Sequence, residues 1–156
     1  MLNLFQKNLF KIIFFLSIFS LISAYLIEHV LGHQPCNLCL FERIPYLFAI
    51  ILTLLSFKLK HFQKIFIILL IIVFFVATLL SLYHLGIEQG FIQESLVCNL
   101  QGDSTVLSKE EILKQLQQKT VNCKDVTFKI FGLSLTTFNV LISFLLTVLL
   151  SKMYLD

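Results

Sequence analysis

The sequence predicts an all-α membrane protein: a four-transmembrane-helix bundle with two outward, periplasmic loops, the second long and carrying a short amphipathic helix. Three observations predict it. Of 156 residues, 58% are hydrophobic and 13% are charged, with a mean hydropathy of +0.91, where a soluble domain carries about a quarter charged residues. Four long apolar runs are separated by polar stretches. The basic residues also fall unevenly between the two sides those runs would create. Seventeen Phe and no Trp suit a lipid-facing surface. No Lys/Arg-rich run alternates with aromatics, which excludes a nucleic-acid partner.

The first run, Ile12–Ile27, follows Lys11, whose side chain can snorkel toward water. A basic flank and the small residues Ser23 and Ala24 also suit a signal peptide. The run is long for one, however, and it continues past Ala24. The second run, Ile44–Phe57, is too short for the roughly 20 residues a spanning helix needs. It must borrow from Leu38–Arg43, which places Arg43 at the membrane boundary with its charge toward water or a polar cavity. The third and fourth, Ile65–Tyr83 and Ile130–Ser151, are long enough alone. The expected spans are about 9–27, 41–58, 65–83 and 131–151, with loops at about 28–43 and 84–130, in one membrane domain covering 1–156.

Lys7, Lys11, Lys58, Lys60, Lys64 and Lys152 share one side with the single acid Asp156. The other side holds Arg43 and five lysines against eight acids. The positive side is cytoplasmic, so both termini are expected inside. Tyr25, Tyr46 and Tyr83 then mark outer span ends and Tyr154 an inner one, as in an interfacial aromatic belt. In the long loop, Ser108 and Glu111 form a capping box, with Leu107 and Ile112 at the staple positions. Ile112, Leu113 and Leu116 share one face of the short helix that follows, a face suited to packing on the membrane or the bundle top.

All four cysteines, Cys36, Cys39, Cys98 and Cys123, lie in the outward loops, two in each. Outside a bacterial inner membrane, disulfides form and persist. A Cys98–Cys123 bridge would restrict the unfolded chain as a staple does. Cys36–Cys39 closes so small a ring that it removes little loop entropy. That spacing favours thiolate stabilisation and fast exchange. Redox chemistry, a metal site and a plain staple all stay open on spacing alone. The metal reading could draw on four thiolates or on His29, His33 and His84. Cys98 and Cys123, however, form no second Cys-x-x-Cys knuckle.

Arg43 follows Cys39 by four residues, a spacing that puts both on one face if the segment is helical. A fixed positive charge there would stabilise a thiolate. Pro45 sets the alternative, since proline suits a first helical turn and would leave Cys39 and Arg43 in the turn before it. Arg43 could also be an interfacial anchor or a partner of Glu42. His84, Gly86 and Glu88 stand where the third span leaves the membrane, near the same surface.

These residues together resemble the DsbB family, inner-membrane thiol oxidases that pass electrons from DsbA to a quinone. The resemblance covers nearly the whole chain. It rests on "PCNLCLFERIPY", on "YHLGIEQG", on Cys98 and Cys123, and on "FGLSLTTFN" entering the fourth span. It implies four catalytic cysteines, Cys36, Cys39, Cys98 and Cys123. Cys98 would form the mixed disulfide with a DsbA-like periplasmic thioredoxin-fold partner. Electrons would then pass through a Cys36–Cys123 link, and Cys39, nearest Arg43, would face the quinone. Arg43 and His84 would contact the quinone, with ubiquinone expected before menaquinone. No metal is expected. The location implied is the bacterial inner membrane, in contact with lipid. "FIQESLVC" lacks the Trp and Pro common before the third cysteine of the family, so the surface that docks DsbA differs here.

Two other functions compete. A vitamin K epoxide reductase-like enzyme would place its redox Cys-x-x-Cys after the loop pair, whereas here it comes first. A non-enzymatic membrane protein would use the cysteines for structural zinc or stapled loops.

Overall fold

The computed structural model describes residues 2–33, 35–93, 123, 129–130 and 133–155. The capping-box helix expected after Ser108 lies outside the described residues. Among the described residues five α-helices stand in chain order: α1 (Leu2–His29), α2 (Asn37–Phe41), α3 (Ile44–Lys58), α4 (Gln63–Glu88) and α5 (Leu135–Leu155). A 3-10 turn, Lys60–Phe62, joins α3 to α4. Among the described residues four stretches are long and apolar enough to cross a membrane: Asn8–His29, Asn37–Lys58, Gln63–Glu88 and Leu135–Leu155. The four-helix membrane architecture expected from the apolar runs is therefore the one observed.

Three local features refine the element ends. Pro45 has no N–H, so the helical ladder cannot run unbroken through it. α2 accordingly stops at Phe41, Arg43 N–H turns back to Leu40 O at 3.2 Å, and α3 starts afresh at Ile44 with the proline in its first turn. α4 runs on to Glu88, five residues past Tyr83. It ends in a Schellman motif: Gly90 adopts φ 78°, its N–H reaches Ile87 O, and Phe91 N–H reaches Gly86 O. Ile92 folds back over Gly86 so closely that an added Cβ there would meet its side chain at 2.6 Å. α5 begins at Leu135, later than the apolar run that starts at Ile130. Lys129–Ile130 instead pairs antiparallel with Leu133–Ser134, and Ser134 Oγ caps α5 by accepting from Thr137 N–H at 3.3 Å.

α4 packs along α5, α1 against α3, and α3 against α4. The core gathers Phe10 and Ile13 of α1, Ala49 of α3, Ile67, Leu70 and Phe74 of α4, and Leu146 and Leu150 of α5. Ser17, Thr53, Thr78, Ser81 and Ser143 are also buried on these helices. Small polar residues let helix backbones approach closely in membranes. Thr53 and Thr78 donate their hydroxyl protons to carbonyls of their own helices, so neither is left unsatisfied. The outer surface is the reverse of a soluble protein's: Phe15, Phe19, Phe48, Phe75 and Phe144 all point outward. Such a surface suits hydrocarbon rather than water.

Candidate functional site

Cys36 is the N-cap of α2, with an extended backbone (φ −73°, ψ 166°). Its sulfur accepts from the Cys39 backbone N–H at 3.3 Å. The x-x spacing thus folds as one tight turn that brings the second residue's amide onto the first residue's sulfur. Both thiols are free; Cys36 is buried and Cys39 half-buried.

His84, only 1% exposed, approaches from α4 and places Nε2 3.6 Å from Cys36 Sγ. The other ring nitrogen, Nδ1, lies 2.7 Å from Glu42 Oε1 and 3.4 Å from Thr136 Oγ1. Thr136 donates to Glu88 Oε1 at 2.6 Å, and Glu88 stands 3.9 Å from His84 Nε2. Asn139 of α5 completes the cluster. Its amide donates to Glu42 Oε2 at 2.7 Å and to Ser81 Oγ at 2.8 Å. Its carbonyl oxygen accepts from the Tyr46 and Ser143 hydroxyls. Three chain segments therefore converge on one polar cluster directly beneath Cys36.

Cys36 lies just outside the membrane-spanning stretch. The Cys39 side chain hydrogen-bonded to it holds its thiol down to about 5, aided by His84 and the Cys39 amide, against the opposing effect of burial. Cys36 is thus poised as a thiolate, the form that attacks and the form that leaves easily.

Cys123 is buried and disulfide-bonded. It belongs to the same apolar cluster as Cys36, Leu38 and Ile87, with Cys39, Leu80 and Tyr83 packed around it. Cys98 lies outside the described residues.

Arg43 occupies the turn between α2 and α3. Its Nη1 donates to Glu28 Oε2 at 2.6 Å, in the last turn of α1. Cys39 is on α2 and Arg43 is the cap of α3, so the two do not share one continuous helix. Arg43 and His84, both read from the sequence as quinone contacts, thus stand in different surroundings: one beside Glu28 at the rim, the other buried under Cys36.

Two kinds of ligand suit these residues chemically. Cys36 Sγ, Cys39 Sγ and a His84 ring nitrogen lie within 4.8 Å of one another, three donors of the softness zinc takes. Next to Cys39 in the chain, Leu40, Phe41 and Ile44 are exposed apolar side chains, of the chemistry that suits a flat, lipid-soluble ring.

Reasoning from the sequence passed over Asn139 and Thr136, took Tyr46 for an interfacial aromatic although it is buried and bonded to Asn139, and took Glu42 only as a partner for Arg43. A signal existed. Thr136, Asn139 and Ser143 follow each other by three and four residues, as do Ser81, His84 and Glu88, so each set forms a polar stripe on an apolar helix. Polar and ionisable stripes inside spanning helices mark functional interiors.

Comparison with known proteins agrees with the geometry. The family model described as "Disulfide bond formation protein DsbB" matches residues 6–153. The chain is also 30% identical, over 155 residues, to the uncharacterized protein RP370 of Rickettsia prowazekii (strain Madrid E), covering 96% of this chain and 90% of that one.

Proposed function

Since the chain belongs to the DsbB family and is therefore a multi-pass membrane protein of disulfide bond formation, we propose that it reoxidises a DsbA-like thioredoxin-fold protein and passes the electrons to a membrane quinone. The carrying observation is the free Cys36–Cys39 turn at the bundle rim, packed in one cluster with the disulfide-bonded Cys123. In this reading both termini are cytoplasmic, the cysteines face the periplasm, and the quinone is ubiquinone.

A thiolate of the reduced partner attacks Cys98 of a Cys98–Cys123 disulfide, and Cys123 leaves with the bonding electron pair. The partner's second thiolate attacks its own sulfur in that mixed disulfide. The partner departs oxidised, and Cys98 and Cys123 are left as a dithiol. Cys123 then attacks Cys36, displacing Cys39, and Cys98 closes on Cys123, displacing Cys36. The electrons now reside on Cys36 and Cys39. The low pKa of Cys36 stabilises this reduced pair and so makes its disulfide the better oxidant, which draws electrons inward. A bound quinone supplies a two-electron, two-proton acceptor. Leu40, Phe41 and Ile44 would hold its ring. Arg43, with one of its five N–H donors committed to Glu28, would meet a ring oxygen.

The test is quinone-dependent oxidation of a reduced DsbA by the purified protein, read as loss of partner thiols with matching quinol formation. Thiol loss without quinol would sink the proposal. One observation favours a second reading: the three soft donors Cys36, Cys39 and His84 suit structural zinc. Stoichiometric zinc with unreactive Cys36 and Cys39 would select it.

A further inference from the structure

His84 faces protein on both ring nitrogens: Cys36 Sγ at Nε2 and Glu42 Oε1 at Nδ1. A neutral imidazole can donate from only one of these; donation to both requires the protonated ring. Glu42 is in turn fixed. Its Oε2 accepts from Asn139, whose own two donors and two acceptor positions are all taken up by Glu42, Ser81, Tyr46 and Ser143. The amide therefore has one orientation, and through Glu42 it sets the orientation of the imidazole. The groups facing His84 are Cys36 and Glu42 from the α2 segment, Glu88 from its own helix and Thr136 from α5.

We propose that Glu42 and Asn139 are positioning residues that hold His84 as the proton partner of Cys36, so that Cys36 departs from its mixed disulfide with Cys123 as a thiolate. The proposal rests on the oxidase reading. In the step concerned, a Cys98 thiolate attacks Cys123 Sγ. The Cys98–Cys123 bond forms, the Cys36–Cys123 bond breaks, and the electron pair leaves on Cys36 Sγ. The two protons given up by the loop dithiol end one on Cys39 and one on His84 Nε2. The new negative charge on Cys36 meets the Nε2–H, while Nδ1–H donates to Glu42. Rates of exchange rise as the leaving thiol's pKa falls, so orienting His84 accelerates release. When Cys36 and Cys39 reclose, those same two protons and the two electrons leave together.

The experiment measures alkylation of Cys36 against pH in the reduced, quinone-free full-length protein, resolved by mass spectrometry and normalised to each variant's rate at high pH. Glu42→Gln should move the midpoint up by at least about one unit, roughly fivefold less thiolate at pH 5. Asn139→Ser should move it the same way by less, and Glu42→Asp should restore part of the loss. Profiles for Glu42→Gln and Asn139→Ser that superimpose on wild type would overturn the proposal. If Glu42→Gln does not accumulate in the membrane, Asn139→Ser alone decides. Quinone-coupled turnover of the wild type, run in parallel, separates the two levels. Turnover with unmoved profiles rejects only the positioning role, whereas shifted profiles without turnover reject only the oxidase reading.

Discussion

Around Phe10, Leu70 and Leu150 the helices meet mainly through apolar side chains. At the cysteine end, Glu42, Ser81, His84 and Asn139 meet through hydrogen bonds of 2.7–2.8 Å. The first region can tolerate repacking, because dispersion contacts have no required direction. The second cannot. Each buried polar atom there has a named partner, and removing one leaves another unsatisfied where water is scarce. The bundle thus concentrates its inter-helix hydrogen bonds at the cysteine end and relies mainly on non-directional contacts elsewhere.

The largest effect should come from the thiols. Cys36→Ser or Cys39→Ser should reduce quinone-coupled oxidation of the partner to background; measurable turnover in either would show that the pair is not on the electron path. Next is His84→Gln, which keeps the bulk but not the imidazole. It should slow turnover by about a hundredfold, the scale of a lost acid–base group, measured with saturating quinone. A smaller effect belongs to Arg43→Ala. Losing a charged hydrogen bond should raise the apparent KM for quinone by about tenfold and leave covalent capture of the partner at Cys98 intact; an unchanged KM would make Arg43 an anchor paired to Glu28.

Acidity offers a gentler probe. Cys36 lies below its ordinary value, at about 5, so its thiolate persists above that pH and is protonated as pH falls through it. Oxidation of the reduced pair should be flat from neutrality to about pH 6 and decline below pH 5, followed by stopped-flow quinol formation. Leu70→Ala marks the other region. It should lower stability by about 2–4 kcal/mol through its cavity, read in a denaturant melt in detergent, and leave turnover of the folded protein nearly unchanged. Comparable losses of turnover for Leu70→Ala and His84→Gln would erase the contrast between the regions.

The four spans were legible because hydrocarbon demands long apolar helices and punishes everything else. Pro45 was legible as a break, and the structure settles its effect: α2 ends before it and Arg43 falls in the turn. The end of α4 was not legible: the extra helical turns carrying His84 and Glu88 and closed at Gly90 were missed, since "YHLGIE" reads locally as a polar exit. Asn139 was harder still. It sits 97 residues from Glu42 in the chain, and no local pattern announces which buried carboxylate a lone amide will meet. Arg43 shows the same limit from the other side. Its spacing pointed to Cys39, but the ion pair it makes is with Glu28, brought alongside by the packing of α1 on α3.

The contact of Ile92 with Gly86 has a further consequence. It pins the start of the long segment to the last turns of α4, while Cys123 returns the chain to the cluster containing Ile87, the very next residue on that helix. Departure and return are therefore moored at neighbouring points, whatever path the intervening residues take. For a segment closed in this way, doubling its length costs only about 0.6 kcal/mol of closure entropy. The stretch between the moorings can lengthen, shorten or change sequence almost independently of the helices. The sequence between the moorings can thus drift in evolution while the cysteine end of the bundle stays fixed.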